Sequence, residues 1–411
     1  MKKDFRLAFE VLENKSLLAD GVVGIVDSGI DLDHIYLKDN LWTNPYELID
    51  NIDNDNNGYV DDVHGWDFVN NDNVPEDSFY HGTAVAGVVK SADPNVKIIA
   101  LRFQDSNGLG YTGSAASAIN YATNMKLKGI NITAINLSWG GGTSSSLVLQ
   151  SAISRANDAG IIVVSAAGNQ GDNNDVTPRY PSSYKFSNTI SVAAYGSAGL
   201  ASFSNYGKNS VEVASKGTAV YSSLPNNNYG YLSGTSFAAP YVSGIASALR
   251  RLGNYSASQI KQAILAGCDV VQSIEDKVSY GLVNLGKSLS YISSLSPGGS
   301  VVISPPVINN PPVVVLSPIL YHMDRVSKSL IRGWATDSGN TANKLKVEIK
   351  INNRVVHSAW VSGLRNDSHS GNGFSVNLKR FFTKKRNQVE VRLIDALNNR
   401  SVAAYSGIIK R

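Results

Sequence analysis

The chain of 411 residues is long enough for one large core and a second module, and its 43% hydrophobic content with 36 glycines is that of an ordinary soluble globular protein. A net charge of +4 against 37 Lys and Arg, with no dense basic run interleaved with aromatics outside the last third, argues against nucleic acid as a partner. A single cysteine, Cys268, excludes an internal disulfide, and no apolar run approaches the roughly 18 residues of a membrane span.

Met1-Lys2-Lys3-Asp4-Phe5-Arg6 has the positive start of an export signal, but no apolar stretch of about 7 to 15 residues follows it. The segment from Phe9 to Asp20 resembles a short N-terminal motif common on exported proteins of planctomycete bacteria, which implies a secreted or cell-surface location. Val22 to Val26 then reads as a buried strand with Asp27 at its carboxyl end. Functional sites gather at such ends in open parallel sheets, although an Asp there serves equally well as a turn former.

An Asn/Asp-dense insertion follows. The stretch Asp53 to Asp62 follows the opening of an oxygen-rich calcium loop, with oxygens at alternate positions on Asp53, Asp55, Asn57 and Tyr59 and Gly58 at the sixth. The twelfth position is His64 where that loop wants a bidentate Glu, so Asp61 or Asp62 must close the shell, and a solvated acidic loop is the alternative. His81 next opens a helix of small residues that has to pack closely against a neighbour.

From residue 96 to 217 short apolar runs alternate with amphipathic segments. Strands are expected at Val96 to Leu101, Ile132 to Leu137, Ile161 to Ser165, Ile190 to Ala193 and Val211 to Ala214. Helices are expected from Ser114 to Lys128 and from Leu147 to Ala159, each closed by a glycine. Such alternation predicts an α/β fold with a mostly parallel sheet covered on both faces. Gly108-Leu109-Gly110 and Ser138-Trp139-Gly140 are glycine-rich loops that suit either plain turns or backbone exposed to pair with an extended ligand strand. Asn169 emerges just after a buried strand, as a turn residue or as a donor aimed at an oxyanion.

Gly234-Thr235-Ser236 delivers a serine to the start of an Ala-rich helix, where Ser is a favoured N-cap but where its free N–H also suits an oxyanion. From Tyr291 to about Leu316 the chain turns to Ser, Pro, Gly and Val, an extended linker. Beyond it, Lys344 to Ile351 and Val389 to Ile394 alternate with period two, which predicts a small all-β sandwich. The expected organisation is an extension at 1–19, a large α/β domain at 20–292, a linker at 293–316 and the accessory sandwich at 317–411.

Acyl transfer needs a nucleophile, a base, an acid that orients the base, and oxyanion donors, and Ser236, His81, Asp27 and Asn169 supply one of each. Their chain order, Asp then His then Ser, is that of subtilisin. Asp27-Ser28-Gly29, His81-Gly82-Thr83, Ser138-Trp139-Gly140, Ala167-Gly168-Asn169 and Gly234-Thr235-Ser236 with Ala239-Pro240 resemble the motifs of subtilisin-like serine proteases over roughly residues 20 to 290. Ser202 to Gly207 and Tyr180-Pro181-Ser182 fit the same family, whose pattern makes the Tyr180–Pro181 bond a candidate cis peptide.

The resemblance implies a three-layer subtilisin-like fold, a serine endopeptidase acting on polypeptides, and substrate lying extended between Gly108–Gly110 and Ser138–Gly140. It gives Asp27, His81 and Ser236 the catalytic roles and Asn169 the oxyanion hole, with no organic cofactor and a monomeric enzyme expected. Three stretches depart from it: Ala84 stands for a second His, Phe237 for an oxidisable Met, and Ser215-Lys216-Gly217 for Ala-Pro-Gly. No pro-segment precedes Asp27, so the chain is expected either to fold unaided or to be an incomplete gene product. A catalytically silent subtilisin fold used as a binding or surface module is the competing expectation.

Overall fold

The computed structural model of the chain describes residues 21–297 and, beyond them, seven strands between residues 319 and 410. The N-terminal extension with its export-type motif, and residues 298–316 of the linker expected at 293–316, lie outside the described residues. The chain divides into two compact units, Met1–Val307 and Ile308–Arg411.

In the first unit the strands are β1 (Val22–Asp27), β2 (Gly65–Asp67), β3 (Lys97–Arg102), β4 (Ile132–Leu137), β5 (Ile162–Ala166), β6 (Thr189–Gly196), β7 (Gly199–Leu200), β8 (Val213–Lys216), β9 (Val220–Leu224), β10 (Asn228–Leu232) and β11 (Gly281–Leu282). The helices are α1 (His81–Ala92), α2 (Thr112–Leu127), α3 (Leu147–Asp158), α4 (Thr235–Arg250), α5 (Ala257–Ala266) and α6 (Leu285–Ser293). The main sheet runs β11-β8-β6-β5-β4-β1-β3-β2, parallel throughout, with β7 added antiparallel to β6. β9 and β10 form a separate hairpin.

β1 is buried at every position, as a strand covered on both faces must be, yet its side chains still part with period two. Val23 and Ile25 join a core shared with α1, α4 and α5, while Val22 and Val26 join a core shared with α2 and α3. The result is a three-layer α/β fold, the architecture that the resemblance implies.

Helices α1 and α4 lie side by side beneath one face of the sheet. Their contact is close because Gly244 of α4 sits where a Cβ would come within 2.4 Å of the Val89 carbonyl oxygen on α1. That approach brings the first turns of the two helices, and so His81 and Ser236, to the same end of the sheet. It is the end where β1, β4 and β5 finish, which puts Ser138 and Asn169 at one opening and brings the buried Asp27 to the same end of the sheet.

The second unit comprises β12 (Ile319–Val326), β13 (Leu330–Asp337), β14 (Leu345–Ile351), β15 (Arg354–Trp360), β16 (Asn372–Asn377), β17 (Arg386–Asp395) and β18 (Arg400–Lys410). They pair antiparallel in two sheets, ordered β12-β13-β16 and β15-β14-β17-β18. Asn352-Asn353, between β14 and β15 in the sequence, lie outside the described residues.

Candidate active site

Asp27 closes β1 and is fully buried. Its Oδ1 accepts the Ser28 backbone N–H at 2.8 Å and faces the Nδ1 of His81 at 2.8 Å. Its other oxygen has no hydrogen-bond partner among the described residues, so the carboxylate is stabilised chiefly through the side that meets the histidine. His81 retains 14% side-chain exposure, enough for its far edge to reach the cleft. Burial works to lower its pKa, but the Asp27 charge and hydrogen bond, joined by the Asp77 charge, win and leave it raised above the ordinary 6.5.

Asp77, four residues before the histidine, was not singled out by the sequence reading, yet it fastens the start of α1. Its Oδ1 accepts from the Ser28 hydroxyl and the N–H groups of Phe79 and Tyr80, at 2.9, 2.9 and 3.0 Å. Its Oδ2 accepts from the Thr83 N–H at 2.9 Å and the Thr83 hydroxyl at 2.6 Å. A carboxylate taking up orphan N–H groups at a helix N-terminus is doubly favoured, by the bonds and by the helix dipole. An Asp just ahead of a helical histidine is the signal that could have found it.

Ser236 occupies the first turn of α4 after Gly234. Its hydroxyl donates to the Ser138 carbonyl at 2.8 Å rather than to His81. A buried polar chain supports the serine's backbone: Ser243 Oγ donates to Asn136 Oδ1 at 2.9 Å, Asn136 Nδ2 to Ser138 Oγ at 2.8 Å, and Ser138 Oγ to the Ser236 carbonyl at 2.8 Å. Every polar atom in that relay has a partner, the condition under which a buried network adds rigidity.

Asn169 follows β5 and is exposed. Its Oδ1 accepts both the backbone N–H and the hydroxyl of Thr235, each at 2.9 Å. A backbone N–H can only donate, so this fixes the amide with its Nδ2 turned away from Thr235 and without a partner among the described residues. The arrangement can therefore offer a charge-stabilised imidazole, a serine hydroxyl and an unused amide donor around one opening. That cleft, of about 220 Å³, is lined by His81, Ser138, Trp139, Asn169, Ser236 and Gly108, among others.

Of the two candidate binding loops, Gly108, Ser138, Trp139 and Gly140 line the cleft. Leu109 stands 68% exposed beside it, and Gly110 bridges to Gln104. Trp139 is held by its indole N–H, which donates to the Val26 carbonyl at 2.9 Å, and by the Phe103 ring at 4.7 Å. The Tyr180–Pro181 bond is cis, as the resemblance implied. Phe237, beside the serine, packs its ring 5.4 Å from that of His81.

The acidic insertion folds differently from a simple alternating loop. Asp53 and Asp55 come together with Glu47, which the sequence reading missed, their carboxylate oxygens within 4.8 Å of one another. Asp62 turns inward, fully buried, and accepts from Tyr121 Oη at 2.6 Å and from the side-chain amides of Asn57 and Asn44 at 2.7 Å each. Asn57 is thereby spent on Asp62 and, through its Oδ1, on the Tyr59 N–H, while the Tyr59 ring packs among Trp66, Phe68 and Tyr121. Three converging carboxylates beside one cation, Lys128 at 3.0 Å from Asp55, are an oxygen-only set suited to a hard ion.

The sequence model of the subtilase family matches residues 19–281. Thermitase of Thermoactinomyces vulgaris is 37% identical over 240 residues, which is 56% of this chain and 81% of thermitase. Subtilisin DY of Bacillus licheniformis is 34% identical over 277 residues, 64% of this chain and 88% of that protein. Among solved structures, a lanthipeptide protease superposes with a TM-score of 0.56 at 23% identity, covering 68% of this chain and 90% of its own, a likeness of fold. A cold-adapted subtilisin-like serine proteinase superposes with a TM-score of 0.50 at 25% identity, covering 65% and 91%.

Proposed function

The chain belongs to the subtilase family and is a serine endopeptidase, and we propose that it cleaves polypeptides through an acyl-enzyme on Ser236. The observation that carries this reading is the buried Asp27 carboxylate 2.8 Å from His81 Nδ1, in a histidine that shares a cleft with Ser236 and an unused Asn169 amide. Held by Asp27, the imidazole presents Nε2 as the base. The Ser236 hydroxyl leaves the Ser138 carbonyl by a rotation about χ1 and gives its proton to Nε2 as it attacks the peptide carbonyl. Asn169 Nδ2 and the Ser236 backbone N–H, an orphan of the helix start, receive the oxyanion. The imidazolium that forms, favoured by Asp27 and Asp77, protonates the leaving amine, and water then repeats the steps to release the acyl group.

Substrate enters as an extended strand between Gly108-Leu109-Gly110 and Ser138-Trp139-Gly140. Calcium is proposed at the insertion, held by Glu47, Asp53 and Asp55, where it would rigidify the loop and neutralise converging carboxylates. We take the peptidase domain as 20–292 and the region 317–411 as a β-sandwich that binds a surface or polymer, in a secreted monomer. Among the described residues no helix is long and apolar enough to cross a membrane.

A fluorophosphonate probe tests the reaction. The wild type should be labelled and Ser236→Ala should not. An unlabelled but folded wild type would instead make the chain a silent scaffold, a reading that the serine's bond to Ser138 in place of His81 keeps open.

A further inference from the structure

We propose that Asn205 is a positioning residue for turnover, acting through Asn169 by holding the loop 168–172 in place; this rests on Asn169 being the oxyanion donor. Asn169 is exposed, so packing does not hold it. Its side chain is tied to Thr235, but its backbone position has to come from hydrogen bonds made beneath the loop.

Asn205 makes them. It is fully buried and spends its whole amide on this segment. Its Oδ1 accepts the backbone N–H groups of Gln170 and Asp172 at 2.9 and 3.0 Å. Its Nδ2 donates to Gln170 Oε1 and to Asn174 Oδ1, each at 3.1 Å. Its own backbone N–H donates to the Gly168 carbonyl at 2.9 Å. Gln170 Oε1 also accepts the Asn169 N–H at 3.2 Å, and Asn174 Nδ2 donates to the Ala167 carbonyl at 2.9 Å. The peptide units on both sides of Asn169 are thus fixed by one side chain or by a residue bonded to it.

The chemistry demands an amide. Two backbone N–H groups require an acceptor, two side-chain oxygens require donors, and only Asn or Gln offers both from one planar group. Gln is one methylene too long for a fully buried site. Clearance is already small, since a Cβ on Gly168, at φ +115°, would lie 2.4 Å from Asn205 Nδ2. A loop released from this clamp moves the Asn169 donor relative to the oxyanion, and a displacement of about 1 Å can cost on the order of 100-fold in rate.

The experiment is a kinetic cycle on the full chain with a chromogenic peptide anilide, using Asn169→Ala, Asn205→Ala, Asn205→Asp and the double variant N169A/N205A, each checked for folding by melting. Asn205→Ala should lower kcat roughly 10- to 100-fold with KM within about twofold, less than loss of the donor itself. Asn205→Asp, which keeps the acceptor for both backbone N–H groups, should fall between it and wild type. The double variant should turn over no more slowly than Asn169→Ala within about threefold, because residues acting as a unit are non-additive. Full kcat in folded Asn205→Ala or Asn205→Asp, or losses that multiply in the double variant, would overturn the proposal. Full kcat in Asn169→Ala would instead strike the oxyanion reading beneath it.

Discussion

Replacing Asn169 by Ala removes two separate things. On the proposed mechanism the catalytic loss is the Nδ2 donor, and in subtilisin one such donor is worth about 3 kcal/mol of barrier, or roughly 10² to 10³ in turnover. The structural loss is Oδ1, which accepts both Thr235 donors at 2.9 Å. Thr235 is fully buried, but Asn169 itself is exposed, so water can re-enter and the cost should be about 1 kcal/mol of stability, the low end for an orphaned donor. Asn169→Asp separates the two: it keeps both Thr235 bonds, and hence the melting temperature, but turns a carboxylate oxygen toward the developing oxyanion. Turnover of the Asp variant should fall at least as far as that of Ala, with KM for a peptide anilide little changed in either. Steady-state kinetics beside thermal melting reads both quantities. Full turnover in the Ala variant, or an Asp variant faster than Ala, would refute the role.

Because the base must be neutral and the His81 pKa is raised, kcat/KM should climb with pH through a midpoint above 6.5. Asp77→Asn removes one of the charges that raise it, so the midpoint in a folded variant should move to lower pH; a pH–rate profile that stays in place would remove Asp77 from the electrostatics of the site. Chelation should lower the melting temperature, since an ion at 100 times its dissociation constant contributes about 2.7 kcal/mol. Glu47→Gln should blunt that response, and equal chelator sensitivity in the variant would place the ion elsewhere.

What the sequence by itself determined is local and chemical. A run of apolar residues ending in Asp27, a histidine at the mouth of a small-residue helix, Asn169 after a strand and a serine after Gly234 are each readable from neighbours in the chain, and their order identified the family. Helix ends and strand centres could be read for the same reason, since period and turn residues are short-range. The partners that decide how these groups behave are distant in sequence: Asp27 meets His81 across 54 positions, Asn169 meets Thr235 across 66, and Asn205 meets Gln170 across 35.

The acidic insertion shows the limit most plainly. The spacing offers Asp61 or Asp62 to close the shell, but Asp62 is buried against the Tyr121 hydroxyl, 59 positions away, and the carboxylates that converge are Glu47, Asp53 and Asp55. Composition tells which groups are present. Only the packing of helices and sheet decides which of them are desolvated, which donors each oxygen accepts, and therefore which remain free to act.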